Sequence, residues 1–391
     1  MINVYLNSFN TRYFVGILKE LNKKIYFEYD KDFLKTNIQI SPFYLPLEEG
    51  IFTEPKMIND GLHGVFNDSL PDGWGRLLLD KYLQRQKLSY NSISPIMRLS
   101  FTGKNGMGAL EYEPSQEYRG YYEHIDLDEL SYHSTMILNE QETNDLQKLI
   151  QLNGSSAGAR PKIICYLSKD KTKISSEYKE GHEAWLIKFP SSADSKDIGL
   201  EEYVYSLLAK DAGLDFPETH LFESNICPGF YGVKRFDRTD NNEKIHVHTV
   251  AGLLNLNFRE PSLDYSELLK LTAILTKDTN EVKKMFRMMV FNIKAGNKDD
   301  HAKNFSFMLN KENQWQLTPA YDLTQSSGIN GEHTTSILGK GKNISDEDIH
   351  KLASQFDISK QDTNAIIEQV EDAMSNYQRY LNEYSDNSPR I

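Results

Sequence analysis

The sequence predicts an α+β fold, a strand-rich unit followed by two lobes, and three observations point to it. Short runs alternating between apolar and polar residues dominate up to about residue 240, as half-buried strands require. After Asp264 the apolar residues recur at helical spacing instead. That helical part is interrupted by the polar string Asn297-Lys298-Asp299-Asp300-His301-Ala302-Lys303-Asn304-Phe305, followed one hairpin's length later by Ala320-Tyr321-Asp322-Leu323.

A chain of 391 residues exceeds one usual hydrophobic core, so two or three packed units are expected. We divide it at 1–115, 116–238 and 239–391. In the first unit Met1 to Leu6, Phe14 to Leu18 and Ile25 to Tyr29 read as antiparallel strands. The turn residues from Ser69 to Gly75 open a helix running to about Leu83, and Gly108 to Tyr112 returns to a strand that Pro114 stops. Leu127 to Leu152 predicts two helices broken near Asn139, a connector. The second unit has strands at Ile163 to Leu167, Trp185 to Phe189, Thr219 to Phe222 and Tyr231 to Phe236, around one helix from Leu200 to Ala212. The third carries helices at Tyr265 to Leu275, Glu281 to Ala295, Asp346 to Phe356 and Lys360 to Tyr384, with a strand pair at Phe305 to Leu309 and Gln314 to Leu317.

Apolar residues at 39% and aromatic residues at 11% argue for a folded chain and against a disordered one. A formal charge of −12 argues against nucleic-acid backbone binding as the main activity, since that binding is driven by Lys and Arg. Lys283, Lys284 and Arg287 lie in an amphipathic helical pattern and read as a solvated face. The two cysteines, Cys165 and Cys227, have no metal-binding spacing. With no secretory leader pattern at the start and no run of membrane-spanning length, a cytoplasmic protein without membrane contact is expected.

The polar string carries the chemistry. A carboxylate at Asp299, in a loop after a helix that ends at Gly296, could orient and deprotonate an attacking hydroxyl, while Asn304 and Asp322 offer hard oxygen ligands to Mg²⁺ on ATP phosphates. The rival reading makes Asp300 and His301 a turn cap closed by Asn304. Capping, however, does not require the second carboxylate at Asp322. Upstream, Ser155 to Lys162 places small residues before a strand, where amides could approach phosphates or where the chain could simply be a connector. Lys188 in its apolar strand would need a charged partner if buried, either ATP phosphates or Glu202 in the next helix, and could otherwise snorkel to solvent. Lys234-Arg235-Phe236-Asp237-Arg238 ends the sheet where an adenine could dock between lobes, or forms a surface ion-pair cluster. His246 and His248, with His301 and Asp300, could form a metal site of a metal-dependent phosphohydrolase; the bland alternative is two partly exposed histidines on an edge strand.

Taken together, Ser155 to Lys162, Lys188, Arg235 to Arg238, Asn297 to Phe305 and Ala320 to Leu323 resemble the HipA family of bacterial Ser/Thr kinase toxins. Val65 to Trp74 and the segment from Arg98 to Leu110 resemble that family's N-terminal domain. The resemblance implies a protein-kinase-like two-lobed fold, with ATP and Mg²⁺ as cofactors. It implies Asp299 as catalytic base, Asn304 and Asp322 as Mg²⁺ ligands, and Lys188 as the ATP-phosphate lysine. Ala157, Gly158, Ala159, Arg160, Pro161 and Lys162 match the phosphate loop, Lys234, Arg235 and Phe236 the hinge, and His301, Ala302, Lys303 and Tyr321 further nucleotide contacts. Ser155 matches the serine that family members autophosphorylate. A small helix-turn-helix antitoxin, HipB, is the implied partner, with DNA contacted only through it; implied substrates are aminoacyl-tRNA synthetases or translation factors. The remaining alternative is a nucleotide-binding co-repressor that is catalytically silent. Two departures stand out: Arg160-Pro161 where the best-known members carry Gln-Glu, and Lys234 in place of an acidic hinge residue.

Overall fold

The computed structural model describes residues 1–54, 56–116, 122, 124–153 and 158–385. It opens with an antiparallel sheet ordered β4-β3-β2-β1-β5, built from β1 (Ile2–Ser8), β2 (Thr11–Leu21), β3 (Lys24–Tyr29), β4 (Ile51–Phe52) and β5 (Leu110–Glu113). Alternation decides which face is buried: Ile2, Val4 and Leu6 of β1 point into the core while Asn3 and Tyr5 between them remain partly open. Short helices α1 (Lys31–Leu34) and α2 (Gly64–Asn67) and the longer α3 (Gly73–Arg85) and α4 (Pro95–Thr102) lie between β3 and β5. Ser94 caps α4 by accepting the Met97 amide, and Pro95 follows it in the first turn, where its missing N–H costs nothing.

Helices α5 (Leu127–Leu138) and α6 (Leu146–Asn153) connect this unit to a second antiparallel sheet, ordered β7-β6-β8-β10-β9. Its strands are β6 (Lys162–Ser168), β7 (Ile174–Ser175), β8 (His182–Lys188), β9 (Thr219–Phe222) and β10 (Phe230–Lys234), and helix α7 (Ile198–Asp211) packs against β9 and β10. The break near Asn139 is observed, with Asn139 as the C-terminal cap of α5. In β6 and β8, Ile163, Cys165, Leu167, Trp185 and Ile187 form a core with α5, α6 and Trp74 of α3.

The last part holds β11 (Val247–Thr249), α8 (Val250–Leu253), β12 (Leu263–Asp264), α9 (Tyr265–Thr276), α10 (Thr279–Ala295), β13 (Ser306–Leu309), β14 (Trp315–Leu317), β15 (Thr335–Ser336), α11 (Asp346–Ser354), α12 (Lys360–Ser375) and α13 (Tyr377–Ser385). The apolar face of α10, with Met285, Phe286, Met289 and Val290, packs on α9 and α12, and Gly296 ends the helix in the left-handed region at φ +67°. Lys283 and Lys284 are exposed, pairing with Asp362 of α12 and with Glu281, as expected of a solvated face; Arg287 departs from that expectation, being half-buried and donating to the Ala212 carbonyl (2.8 Å) and to Gln369 on α12 (2.6 Å). The expected single helix from Lys360 to Tyr384 is two, because the chain turns at Asn376 to lay α13 on α7. His246 and His248 also differ from expectation: β11 is an edge strand, but both rings are buried, at 1% and 0% exposure. The first and last parts meet where α2 touches α8 so closely that a Cβ on Gly64 would lie 2.1 Å from the Gly252 carbonyl oxygen. No helix among the described residues is long and apolar enough to cross a membrane.

Candidate active site

A cleft of about 530 Å³ gathers residues from all three parts of the chain, among them Arg160, Lys188, Phe236, Asp299, Asn304 and Asp322. Its floor is set by a rigid loop after α10. Asp300 is fully buried and accepts hydrogen bonds from the Tyr265 hydroxyl (2.9 Å), the Thr334 amide (2.8 Å) and the Thr335 amide (3.1 Å), with His333 Nδ1 at 2.9 Å. Asp300 is therefore an anchor, and its neighbour Asp299 faces the cleft. Asp299 is exposed in the cleft, yet partial desolvation by the cleft walls raises its pKa above the ordinary value; Asp322 and Asp300 add to the rise and His301 opposes it.

The Asn304 side-chain amide donates to the Asp299 carbonyl at 2.7 Å, which fixes its orientation and leaves its oxygen as an acceptor. Asp322 sits in the left-handed region at φ +56°, a conformation that Asp tolerates better than most residues. Lys188 holds its carboxyl well below the usual range, while burial works the other way. Asn304 and Asp322 thus offer an amide oxygen and an ionised carboxylate to one cleft, a donor set that fits a hard cation such as Mg²⁺.

Lys188, at the end of β8, is the centre of a charge network. Its ammonium pairs with Asp322 and lies 2.9 Å from Glu202 Oε2, on α7, while Glu202 Oε1 takes Arg160. Arg160 also reaches Asp194 at 3.1 Å. Burial alone would lower the Lys188 pKa, yet Asp322 and Glu202 hold it above the ordinary value. Directly across the ladder, Lys162 is buried and its pKa is brought down to about 8, chiefly by desolvation. The reading of Lys188 as a buried lysine needing charged partners matches this geometry; a snorkelling strand end does not.

At the sheet's end, the Lys234 and Arg235 amides donate to Glu218 (2.8 Å) and Ala184 (2.9 Å). The Lys234 side chain pairs with Glu183 and Asp240, and Arg235 with buried Asp237, which also binds Arg238 and the Gly108 amide. Phe236 is left to the cleft, its ring stacked on Tyr321 with centroids 5.5 Å apart. The Tyr321 hydroxyl donates to the Lys303 carbonyl at 2.7 Å. His301 caps the turn at Lys303 and lies against Phe258, whereas Ala302 is buried in the core and Pro161 accepts the Phe189 amide at 2.8 Å. Ser155 and Ala157 lie outside the described residues.

The rival metal site does not assemble. His246 Nε2 is 2.9 Å from the Ile40 carbonyl, and His248 lies between Asp68 (2.7 Å) and Ser41 (3.0 Å). Among the described residues one group of three, Glu129, His133 and Asp145, brings ligand atoms within 4.8 Å of each other, but His133 is already paired with Asp145 and Glu129 with Lys148. Sequence reading passed over Asp72, which lines the cleft, and Asp194, which holds the cleft residue Arg160. Asp194 gave no signal beyond a loop carboxylate, and Asp72 read as a turn residue.

Comparison with known proteins identifies the family. Residues 2–113 match the HipA N-terminal domain and residues 154–377 the HipA-like C-terminal domain. "Putative kinase Y4dM" of Sinorhizobium fredii is 26% identical over 195 residues, covering 45% of this chain and 47% of that protein. A "Putative kinase" of Haemophilus influenzae is 24% identical over 217 residues, covering 52% and 62%. The chain thus spans roughly half to three fifths of the length of these relatives. Among solved structures, HipA of Shewanella oneidensis, in a complex with HipB and operator DNA, superposes with a TM-score of 0.73 over all of this chain and 92% of that one at 15% identity, a likeness of fold. With both domains matched in order along one α+β chain, the protein belongs to the HipA family.

Proposed function

We propose that this protein is an ATP- and Mg²⁺-dependent Ser/Thr protein kinase. The observation that carries the proposal is the buried Lys188–Glu202 pair opening onto the same cleft as Asp299, Asn304 and Asp322, the arrangement a kinase uses to hold and orient ATP. In this reading Asp299 accepts the proton of the acceptor hydroxyl as its oxygen bonds to the γ-phosphorus and the bond to the bridging oxygen breaks. Lys188 steadies the α- and β-phosphates, and the Phe236–Tyr321 pair offers an aromatic face to the adenine. A Mg²⁺ held by Asn304 and Asp322 would supply charge neutralisation at the phosphate oxygens. Gly158, Arg160 and Lys162 line the phosphate side.

By family membership we further infer a translation-related protein substrate, such as an aminoacyl-tRNA synthetase, and a HipB-like helix-turn-helix antitoxin partner that makes the DNA contact. Autophosphorylation at Ser155 would place a dianion beside the phosphate loop, where it repels ATP and switches the enzyme off. Incubation with labelled ATP and Mg²⁺ should label Ser155 in the wild type but not in Asp299→Asn or Asp322→Asn; equal labelling in all three would sink the assignment. Phosphoproteomics after brief expression of wild type against Asp299→Asn identifies the substrate.

A further inference from the structure

The segment between α2 and α3 reaches from the N-terminal domain into the cleft. Asp68, just after α2, accepts the Thr249 amide and the Thr249 hydroxyl, both at 2.8 Å. Ser69 is held from the other side, its carbonyl by the Thr102 hydroxyl (3.0 Å) and its hydroxyl by that of Tyr112 (2.7 Å). Between these anchors and α3, Asp72 divides its carboxylate between the two loops of the cleft. Oδ1 accepts the Gly158 amide and Oδ2 the Lys303 ammonium, each at 2.5 Å. Asp72 stands at the N-cap of α3, where an Asp ordinarily accepts from its own helix, yet it makes no such bond. Its side chain serves the cleft instead.

The backbone closes the same clamp. The Trp74 amide donates to the Gly158 carbonyl at 3.0 Å, and its indole is buried in the core of the second sheet. Gly73 has φ +44°, and a Cβ there would lie 2.4 Å from the Gly158 oxygen and 2.7 Å from Ala159 Cα, so the approach requires glycine.

We propose that Asp72 is a positioning residue of the nucleotide site, contributed by the N-terminal domain, which fixes the loop backbone at Gly158 and the Lys303 ammonium relative to each other and so sets the affinity for ATP. The inference rests on the kinase reading above and deepens it. A loop backbone and an ammonium held in place before a triphosphate arrives need no ordering when it binds, and that saving is affinity; the Gly158 proton stays with Asp72, while Lys303 keeps two further N–H donors. The carboxylate does not repel the nucleotide appreciably, because Lys303 already balances its charge.

The test compares full-length wild type, Asp72→Asn and Asp72→Ala for Mg-ATP affinity, for kcat and KM toward ATP, and for amide exchange at Gly158 without nucleotide. Asn keeps an oxygen for Gly158 but loses the charge toward Lys303, so ATP binding should weaken about three-fold, and in Ala about ten-fold, with kcat at saturating ATP within about two-fold. Exchange at Gly158 should quicken in Ala. A thermal melt checks that each variant folds, and Asp72→Asn decides if Ala does not. ATP binding unchanged or tighter in the folded variants overturns the inference, as does a fall in kcat at constant KM. Wild type that binds no nucleotide overturns the kinase reading and this inference together, whereas normal wild-type binding with unchanged variants sinks this inference alone.

Discussion

Replacing Lys188 by Met tests whether the charge network organises the site. Its ammonium is only 12% exposed, Glu202 is 4% exposed, and their atoms lie 2.9 Å apart. At an effective dielectric near 20, that separation corresponds to roughly 6 kcal/mol of attraction, most of it offset by desolvation. Removing one partner of a buried pair costs about 3–5 kcal/mol, and we expect less here, about 2 kcal/mol, because Arg160 still faces Glu202 and Asp322 is 41% exposed. The assay is urea unfolding of wild type, Lys188→Met, Glu202→Gln and the double variant, run as a double-mutant cycle. A coupling of about 1–2 kcal/mol is expected. In the same samples phosphorylation should fall by about two orders of magnitude in each single variant, since both lose the positioned cation at the phosphates. A coupling below about 0.3 kcal/mol would show that the two charges act independently and would refute the reasoning.

Acid should destabilise the protein before its carboxylates titrate. Burial lowers the pKa of His63 and of His246 from 6.5 to about 4, so the unfolded chain binds protons that the folded one refuses; each contributes stability present above about pH 6.5 and lost as pH falls toward 4, on the order of 3 kcal/mol apiece. A urea midpoint that stays flat from pH 7 to pH 4.5, or that falls as far in His63→Phe as in wild type, would contradict this. Gly64→Ala should cost about 3 kcal/mol or more, since the added methyl meets backbone at 2.1 Å; equilibrium unfolding unchanged from wild type would refute the close contact of α2 with α8. Ending the chain after Asn376 removes the Tyr377–Tyr205 and Tyr384–Tyr203 ring contacts and the Tyr380 bond to Asp211, all on the helix that carries Glu202. Amide exchange across 198–211 should accelerate and phosphorylation should drop, and unchanged exchange would show that α13 is dispensable to α7.

How far the sequence reaches depends on the range of the signal. The strands and helices with strong period, such as Thr219 to Phe222 and the helix ending at Gly296, were legible within a residue or two, because alternation and a left-handed cap are local properties. The two-residue strands β4, β7, β12 and β15 were not, since each exists only through its partner. Lys188 with Glu202 was legible because an apolar strand makes a buried lysine conspicuous. The partners of Asp300 were hidden: Tyr265 lies 35 residues upstream and Thr335 as far downstream. His246 and His248 looked exposed because polar residues on an edge strand usually are; the N-terminal part of the chain covers them, through Ile40, Ser41 and Asp68.

The same long-range contacts bear on the departure at Arg160-Pro161. Proline removes an amide from a loop whose amides would meet phosphates, so the substitution taken alone predicts a weaker cradle. In the structure the loop is held by other means. Arg160 reaches Glu202 on α7 and Asp194 before it, the Pro161 carbonyl pins the loop to β8 through Phe189, and Asp72 and Trp74 grip Gly158 from the opposite side. Glu202 therefore serves two cations, one on the loop and one on the strand, and any shift of α7 moves both. If the loop binds phosphate as proposed, tying it by side chains to the helix that orients Lys188 would couple that binding to the helix more directly than a loop held by its own amides would. In that reading Arg160 sets against the loss of one donor a link between the proposed phosphate loop and α7.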